Sequence, residues 1–261
     1  MGVGMRPACR GSHSARLRVA LAGFCASLLG VLAVAAPAYA SPPKPVTCGQ
    51  TITAPGQYFL ANDCSGSGIG IGANDVRLRL AGHTMDGMGC SFSTGIESGS
   101  VAGLRIQGPG TITGYFVGIS LNGANDSRVQ KVTLTDDCDG GVLASGSGNQ
   151  FAQNVATGST SGSGFQVAGT DNRYVNNTAD HNSGSGIALQ PSSKNNLIMG
   201  NQATNNGRFG IAVFSSATDN TIRANTANSN GSFDLADFNA GCDSNTWSGN
   251  SFGTANESCI N

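Results

Sequence analysis

Short alternations of apolar and polar residues recur along this chain, each opened by a glycine. The clearest are Gly68-Ile69-Gly70-Ile71, Gly118-Ile119-Ser120-Leu121, Gly164-Phe165-Gln166-Val167, Gly186-Ile187-Ala188-Leu189 and Gly210-Ile211-Ala212-Val213. Weaker copies start at Gly95, Gly141 and Asp234, so the steps between starts are 27, 23, 23, 23, 22, 24 and 24 residues. No stretch after residue 40 keeps a 3.6-residue apolar period, so the predicted elements are strands rather than helices. A fixed period in the twenties made of short alternating runs is the pattern of a β-solenoid, in which each repeat buries its apolar side chains only by stacking on its neighbours.

A second motif sits inside each period: an asparagine, an apolar residue two positions on, and another asparagine three further. It occurs at Asn149, Phe151 and Asn154; at Asn172, Tyr174 and Asn177; at Asn196, Ile198 and Asn201; at Asn220, Ile222 and Asn225; and at Asn245, Trp247 and Asn250. A small or apolar column follows two residues later at Ala156, Ala179, Ala203, Ala227 and Phe252. Stacked coils place the Ile, Leu and Val columns inside, about 4.8 Å apart. The asparagines fall at corners, where they tolerate left-handed backbone angles and stacked amides bond to one another and to turn backbone. Their expected role is structural, not ligand binding.

The ends follow from composition. Arg6, Arg10, Arg16 and Arg18 precede the apolar run 19–36, and Ala38-Tyr39-Ala40 offers a small-x-small cleavage site, so residues 1–40 read as a secretory signal peptide. Residues 41–47, with Pro42, Pro43 and Pro45, read as a disordered linker, and 48–261 as the solenoid domain, with an N-terminal cap at 48–67 and a C-terminal cap at 242–261. Caps are needed because an open solenoid exposes unpaired strand edges. Six of the eight cysteines lie after residue 40, an even number in an exported chain, which predicts disulfides. Proximity in sequence pairs Cys48 with Cys64 and Cys242 with Cys259, leaving Cys90 for Cys138. With no Cys-x-x-Cys and only His83 and His181 after residue 40, a zinc site is not expected.

Four of the fourteen basic residues and none of the fifteen acidic ones fall in 1–40, which leaves ten against fifteen and a net charge near −5. No run of Lys and Arg marks a nucleic-acid partner. An anionic ligand would have to be bound locally, against the overall field. After signal cleavage no membrane partner is expected; a polysaccharide is the expected partner, and the location is extracellular or the cell envelope.

Candidate chemistry gathers in the turn just before each glycine start. Down that turn lie Tyr115 and Phe116, then Asp136, Asp137, Cys138 and Asp139, then a floor of Gly and Ser at 158–163, then Asp180 and His181, then Arg208. Asp136, Asp137, Asp139, Asp180 and His181 are the candidate acid–base residues. Tyr115 and Arg208 are candidates to stack on or hold a sugar. Two coils separate the first acidic group from Asp180, about 9.6 Å at the β spacing, near the upper end of the range used by inverting glycosidases. Crowding among Asp136, Asp137 and Asp139 would hold one protonated, or the three would bind Ca²⁺; no other cofactor is expected. Against this stands the ordinary role of such residues as turn formers and solvated charge.

The run from Leu78 to Gly87 (Leu78-Arg79-Leu80-Ala81-Gly82-His83-Thr84-Met85-Asp86-Gly87), with the repeated Gly-Ile-x-Leu and Asn-x-Ile-x-x-Asn units, resembles the right-handed parallel β-helix repeat proteins, the superfamily that includes pectate lyases. The resemblance covers about residues 46–261. It implies an all-β, single-stranded right-handed parallel β-helix of about eight coils with disulfide-closed ends. It also implies a range of functions: pectin and alginate lyases, polygalacturonase-like hydrolases, uronan epimerases, phage tailspikes and periplasmic assembly proteins share the fold, which does not choose among them. Asp136-Asp137-Cys138 is similar to the Asp-Asp-Cys of the polygalacturonase-like hydrolases. The chain departs from that pattern with Ala124-Asn125-Asp126 in the preceding coil, no Gly-His-Gly and no Arg-Ile-Lys. The expectation is therefore a secreted β-helix that binds a polysaccharide along one wall. A polysaccharide hydrolase, lyase or uronan epimerase is the first alternative, and a non-catalytic structural or protein-interaction solenoid the second.

Overall fold

A computed structural model describes residues 42–261. The expected signal peptide, 1–40, lies outside the described residues. The described chain winds through about nine turns and forms three parallel sheets. The first sheet has ten strands, from Lys44–Val46 to Thr246–Ser248; the second has nine, from Thr51–Ile52 to Phe233–Asp237; the third has nine, from Cys64–Ser65 to Ser251–Phe252. Every strand pair is between successive coils. No α-helix occurs among the described residues, and the single-turn 3-10 segment Ala240–Cys242 is the one helical element there.

The glycine starts align across coils as the repeat requires. Ile69 pairs with Ile96, Ile96 with Ile119, Ile119 with Val142, Val142 with Phe165, Phe165 with Ile187, Ile187 with Ile211 and Ile211 with Leu235. All of these are buried. The recurring glycine is a matter of room rather than of backbone angle. A Cβ at Gly186 would stand 2.7 Å from the Gly210 carbonyl, 2.8 Å from Asn206 Nδ2 and 2.9 Å from Ala203 Cβ. The glycine column of the second sheet thus faces the alanine column of the third, and both stay small because they meet.

On the first sheet the inward column is large: Leu78, Ile106, Val129, Phe151, Tyr174, Ile198, Ile222 and Trp247. Phe151 and Tyr174 stack with ring centroids 4.5 Å apart. The Tyr174 hydroxyl is fully buried and has no hydrogen-bond partner. Tyr174→Phe removes that unsatisfied group without opening a cavity, and is expected to raise stability by about 1 kcal/mol in urea denaturation.

Two expectations about the N-terminal end need correcting. The stretch 41–47, read as a disordered linker, carries the strand Lys44–Val46, which pairs with Tyr58–Leu60 and places Pro45 on the sheet edge, where no N–H is needed. The cap at 48–67 is itself a coil: Thr51–Ile52, Gly56–Leu60 and Cys64–Ser65 each join one of the three sheets. That adds one turn to the eight counted from the repeats. The disulfides pair as expected: Cys48–Cys64 and Cys242–Cys259 close the two ends, and Cys90–Cys138 links the turns of two coils on the wall between the third and second sheets.

Candidate functional site

In the middle coils the passage from the third sheet to the second begins at a corner residue with positive φ: Asp136 at 56°, Gly158 at 74°, His181 at 53° and Asn205 at 55°. Backbone bonds stack these corners, Asp136 N–H to the Thr157 carbonyl, Gly158 N–H to that of Asp180 and His181 N–H to that of Thr204. Asp136 and His181 therefore share one column, two coils apart, with Gly158 between them. The expected low floor of small residues is present.

The left-handed corner turns the next side chain inward. After Asn205 comes Asn206, after His181 comes Asn182, after Asp136 comes Asp137, and after Gly114 comes Tyr115; all four are buried. Asn182, Asn206 and Asn230 form a third asparagine ladder that the sequence motif did not reveal. Asn182 Oδ1 accepts the Ser159 N–H at 3.2 Å while its Nδ2 donates to the Ala156 carbonyl at 3.1 Å, and Asn206 repeats the arrangement on Asn182 and Ala179. Asp137 occupies the same column. Its Oδ1 accepts the Tyr115 N–H at 3.0 Å, but its Oδ2 is buried without a partner. Burial pushes this carboxyl up to about 8, against the Tyr115 N–H bond that acts the other way, and the neighbouring Asp136 charge adds a further upward push.

Two of the sequence candidates are thus corrected. Asp137 is 1 % exposed and lies inside the wall, not on it. Tyr115 is fully buried, with its hydroxyl 3.8 Å from Cys48 Sγ, and cannot serve as a sugar platform. The Ca²⁺ set is corrected for the same reason: with Asp137 turned inward, Asp136, Asp137 and Asp139 do not converge. No group of three or more His, Cys, Asp and Glu side chains is placed to hold a metal ion among the described residues.

Asp136, Asp139, Asp180, His181 and Arg208 remain at least partly accessible. Asp180 is heavily committed. Its Oδ1 accepts Thr204 Oγ1 at 2.8 Å and Asn205 Nδ2 at 3.0 Å, and its Oδ2 lies 2.9 Å from His181 Nδ1. Partial burial raises its affinity for a proton, but the bonds from Thr204, Asn205 and His181 outweigh that and hold the carboxyl below the ordinary range. It is ionised at neutral pH and is not a proton donor. Asp136 Oδ2 accepts Thr135 Oγ1 at 3.0 Å. Arg208 lies over the Phe209 ring, 5.4 Å from its centroid.

Two surface features escaped the sequence reading. On the outer face of the second sheet, Phe209, Phe214 and Phe238 cover Ala212 and Ala236, with Phe214 and Phe238 stacked at 5.5 Å. On the outer face of the first sheet, Arg77, Arg105 and Arg128 stand in direct register on three successive strands. The second is a basic stripe on an acidic chain, and nothing in the linear order of charges announces it.

The chain belongs to the right-handed β-helix family: the family model described as the right handed beta helix region matches residues 117–260. No curated protein matches the chain. Among solved structures it is similar to the A-module of the mannuronan C-5 epimerase AlgE6 of Azotobacter vinelandii (18% identity, 80% of this chain and 65% of that one, TM-score 0.62). It is also similar to the pectate lyase Pel9A (16% identity, 83% and 69%, TM-score 0.54). A third neighbour is the periplasmic alginate epimerase AlgG (17% identity, 75% and 51%, TM-score 0.52). At these identities the likeness is one of fold, and the chain spans 65% and 51% of the two epimerase chains.

Proposed function

We propose that this chain is an exported, disulfide-closed β-helix that binds an extracellular or cell-envelope polysaccharide along one wall without cleaving it. One observation carries the choice of binding over turnover. The carboxyl whose environment suits an acid, Asp137, is sealed inside the wall, and the exposed carboxylate across the floor, Asp180, is held ionised by three hydrogen-bond donors. General acid catalysis by a carboxyl needs a protonated group within reach of the leaving oxygen, and neither Asp137 nor Asp180 meets that need. Two further points support the reading: a solenoid presents a long flat surface of repeated groups, and the solved structures it is similar to include proteins named for acting on alginate and pectate. The three disulfides support export.

The test is a binding and turnover screen of the purified protein on neutral and uronic-acid polysaccharides, with and without Ca²⁺. The expected result is saturable binding with no new reducing ends, no unsaturated products and no change in uronate composition. Product formation that is lost in His181→Ala and Asp180→Asn would overturn the reading and make the Asp180–His181 pair the centre of an enzyme.

A further inference from the structure

The ten basic residues after position 40 are not spread evenly. Seven of them, Lys44, Arg77, Arg79, Arg105, Arg128, Arg173 and Arg223, lie on strands of the first sheet, and none of that sheet's ten strands carries an Asp or Glu. Within the sheet the charges are ordered. Arg77, Arg105 and Arg128 are paired across adjacent strands, and the same outward column continues through Gln150 to Arg173. Beside it runs a second outward column, Arg79, Gln107 and Gln130. Between the two columns lies a shallow groove of about 240 Å³ lined by Arg77, Arg105, Ile106, Gln107, Arg128 and Gln130.

Like charges placed directly opposite on neighbouring strands oppose folding. Among the described residues no ion pair relieves this stack. The ion pairs among the described residues are His83–Asp63, His181–Asp180 and Lys194–Asp219, and none includes an arginine. The corner aspartates that precede the column, Asp75, Asp126 and Asp171, form no ion pair with it either. Three planar donor forks at about 4.8 Å intervals suit a row of anionic groups of comparable spacing, each held by charge-assisted bonds.

We propose that the outer face of the first sheet binds a linear anionic polysaccharide, lying along the solenoid axis with its carboxylates or sulfates on Arg77, Arg105 and Arg128 and its hydroxyls on the neighbouring glutamines. The proposal rests on the polysaccharide-binding reading above and assigns it a wall and a ligand chemistry. A single-stranded nucleic acid fits less well. Such ligands need a row of aromatic platforms for their bases, whereas Tyr58, Phe151, Tyr174 and Trp247 on these strands are buried and Phe59, in register with Arg79, is the one aromatic side chain on the outer side. The glutamine amides supply both donors and acceptors, which sugar hydroxyls can use.

The experiment measures binding of the full protein to polygalacturonate, dextran sulfate, unmodified dextran and an oligo-dT strand at low and at moderate salt. The variants are Arg105→Gln, the triple Arg77→Gln/Arg105→Gln/Arg128→Gln, and Lys194→Gln outside the strands of this sheet. We expect binding to polygalacturonate, dextran sulfate or both, weakened by salt, reduced about tenfold in Arg105→Gln and lost in the triple variant, with Lys194→Gln like the parent. Whichever polymer binds identifies carboxylate or sulfate as the recognised group. The melting temperature of the triple variant should be equal to or above the parent's, since repulsion is removed, so the loss cannot be ascribed to unfolding. Polyanion binding that survives the triple variant, or that is lost in Lys194→Gln, overturns the proposal. Binding to dextran alone overturns it while leaving the polysaccharide-binding reading in place. Binding to oligo-dT alone overturns it in favour of a nucleic-acid surface. Silence on all four probes overturns both readings.

Discussion

Asp137→Asn is expected to make this protein more stable at pH 7, by about 2–4 kcal/mol, and to abolish a pH dependence that the parent shows. The carboxyl occupies a column otherwise built from amides. In the coils that follow, Asn182 and Asn206 each accept a backbone N–H with Oδ1 and donate from Nδ2 to a carbonyl of the preceding coil. Asp137 makes the first bond, but an ionised carboxylate has no donor for the second, and its Oδ2 is buried without a partner. In the native state the proton is held up to about pH 8, whereas the free carboxyl loses it near 3.8. Between those values the folded protein binds more protons than the unfolded one. The contribution of Asp137 is therefore full below about pH 4 and is lost as pH rises through about 8, at a slope approaching 1.4 kcal/mol per pH unit. The asparagine variant carries its own N–H and has no such slope. Urea denaturation of both proteins from pH 4 to 8 reads the difference directly. The depressed carboxyls, Asp63, Asp180, Asp219 and Asp234, act below that window and in both proteins. Parallel stability profiles for the two proteins across the window would contradict the account.

Asn201→Ala is expected to cost about 3–5 kcal/mol, the largest loss from any single corner. Asn201 Oδ1 accepts the Asn177 N–H at 2.8 Å and Asn177 Nδ2 at 3.1 Å. Its Nδ2 donates to the Tyr174 carbonyl at 2.8 Å and to Asn225 Oδ1 at 3.0 Å. Alanine leaves a buried backbone donor and a buried backbone acceptor unpaired and interrupts the ladder in its middle. Because coils are coupled to nearest neighbours, hydrogen exchange should show the loss concentrated at Asn177 and the adjoining coils, with the coils near Ile69 keeping their protection. Asn201→Asp is the converse of Asp137→Asn and should approach parental stability only at acid pH.

The repeat was legible because a solenoid stacks like on like. Seven register pairs follow from the spacing of glycines alone, and two asparagine ladders from a five-residue step. The third ladder obeys the same step, from Asn177 to Asn182, Asn201 to Asn206 and Asn225 to Asn230, but lies in the turn where coil lengths vary and where Ser159 and Asp137 replace asparagine. Asp137 and Tyr115 were misplaced for one reason: the left-handed residue before each of them, Asp136 or Gly114, turns the following side chain into the core. Hydropathy cannot register that inversion at a corner. The arginine column was missed because the first coils lack the asparagine motif. Val76, Leu104 and Ser127 stand where later coils have asparagine, so Arg77, Arg105 and Arg128 were never aligned with Arg173.

The asparagine ladders have a direction, since each Oδ1 receives the N–H of the coil before it. In the last coil the N–H groups that would look for a further coil are already taken. Asn245 donates to the Cys242 carbonyl, Asn250 to that of Asn261, and Asn230 to Asp234 Oδ1. Asp234 also receives the N–H groups of Gly253 and Thr254, so a side chain that can only accept closes the third ladder. A second molecule arriving at this end finds the donors of all three ladders already engaged. Its length is therefore a heritable quantity, altered only by inserting or deleting whole coils between the two closures, and the reach of any surface it displays changes in steps of one rung.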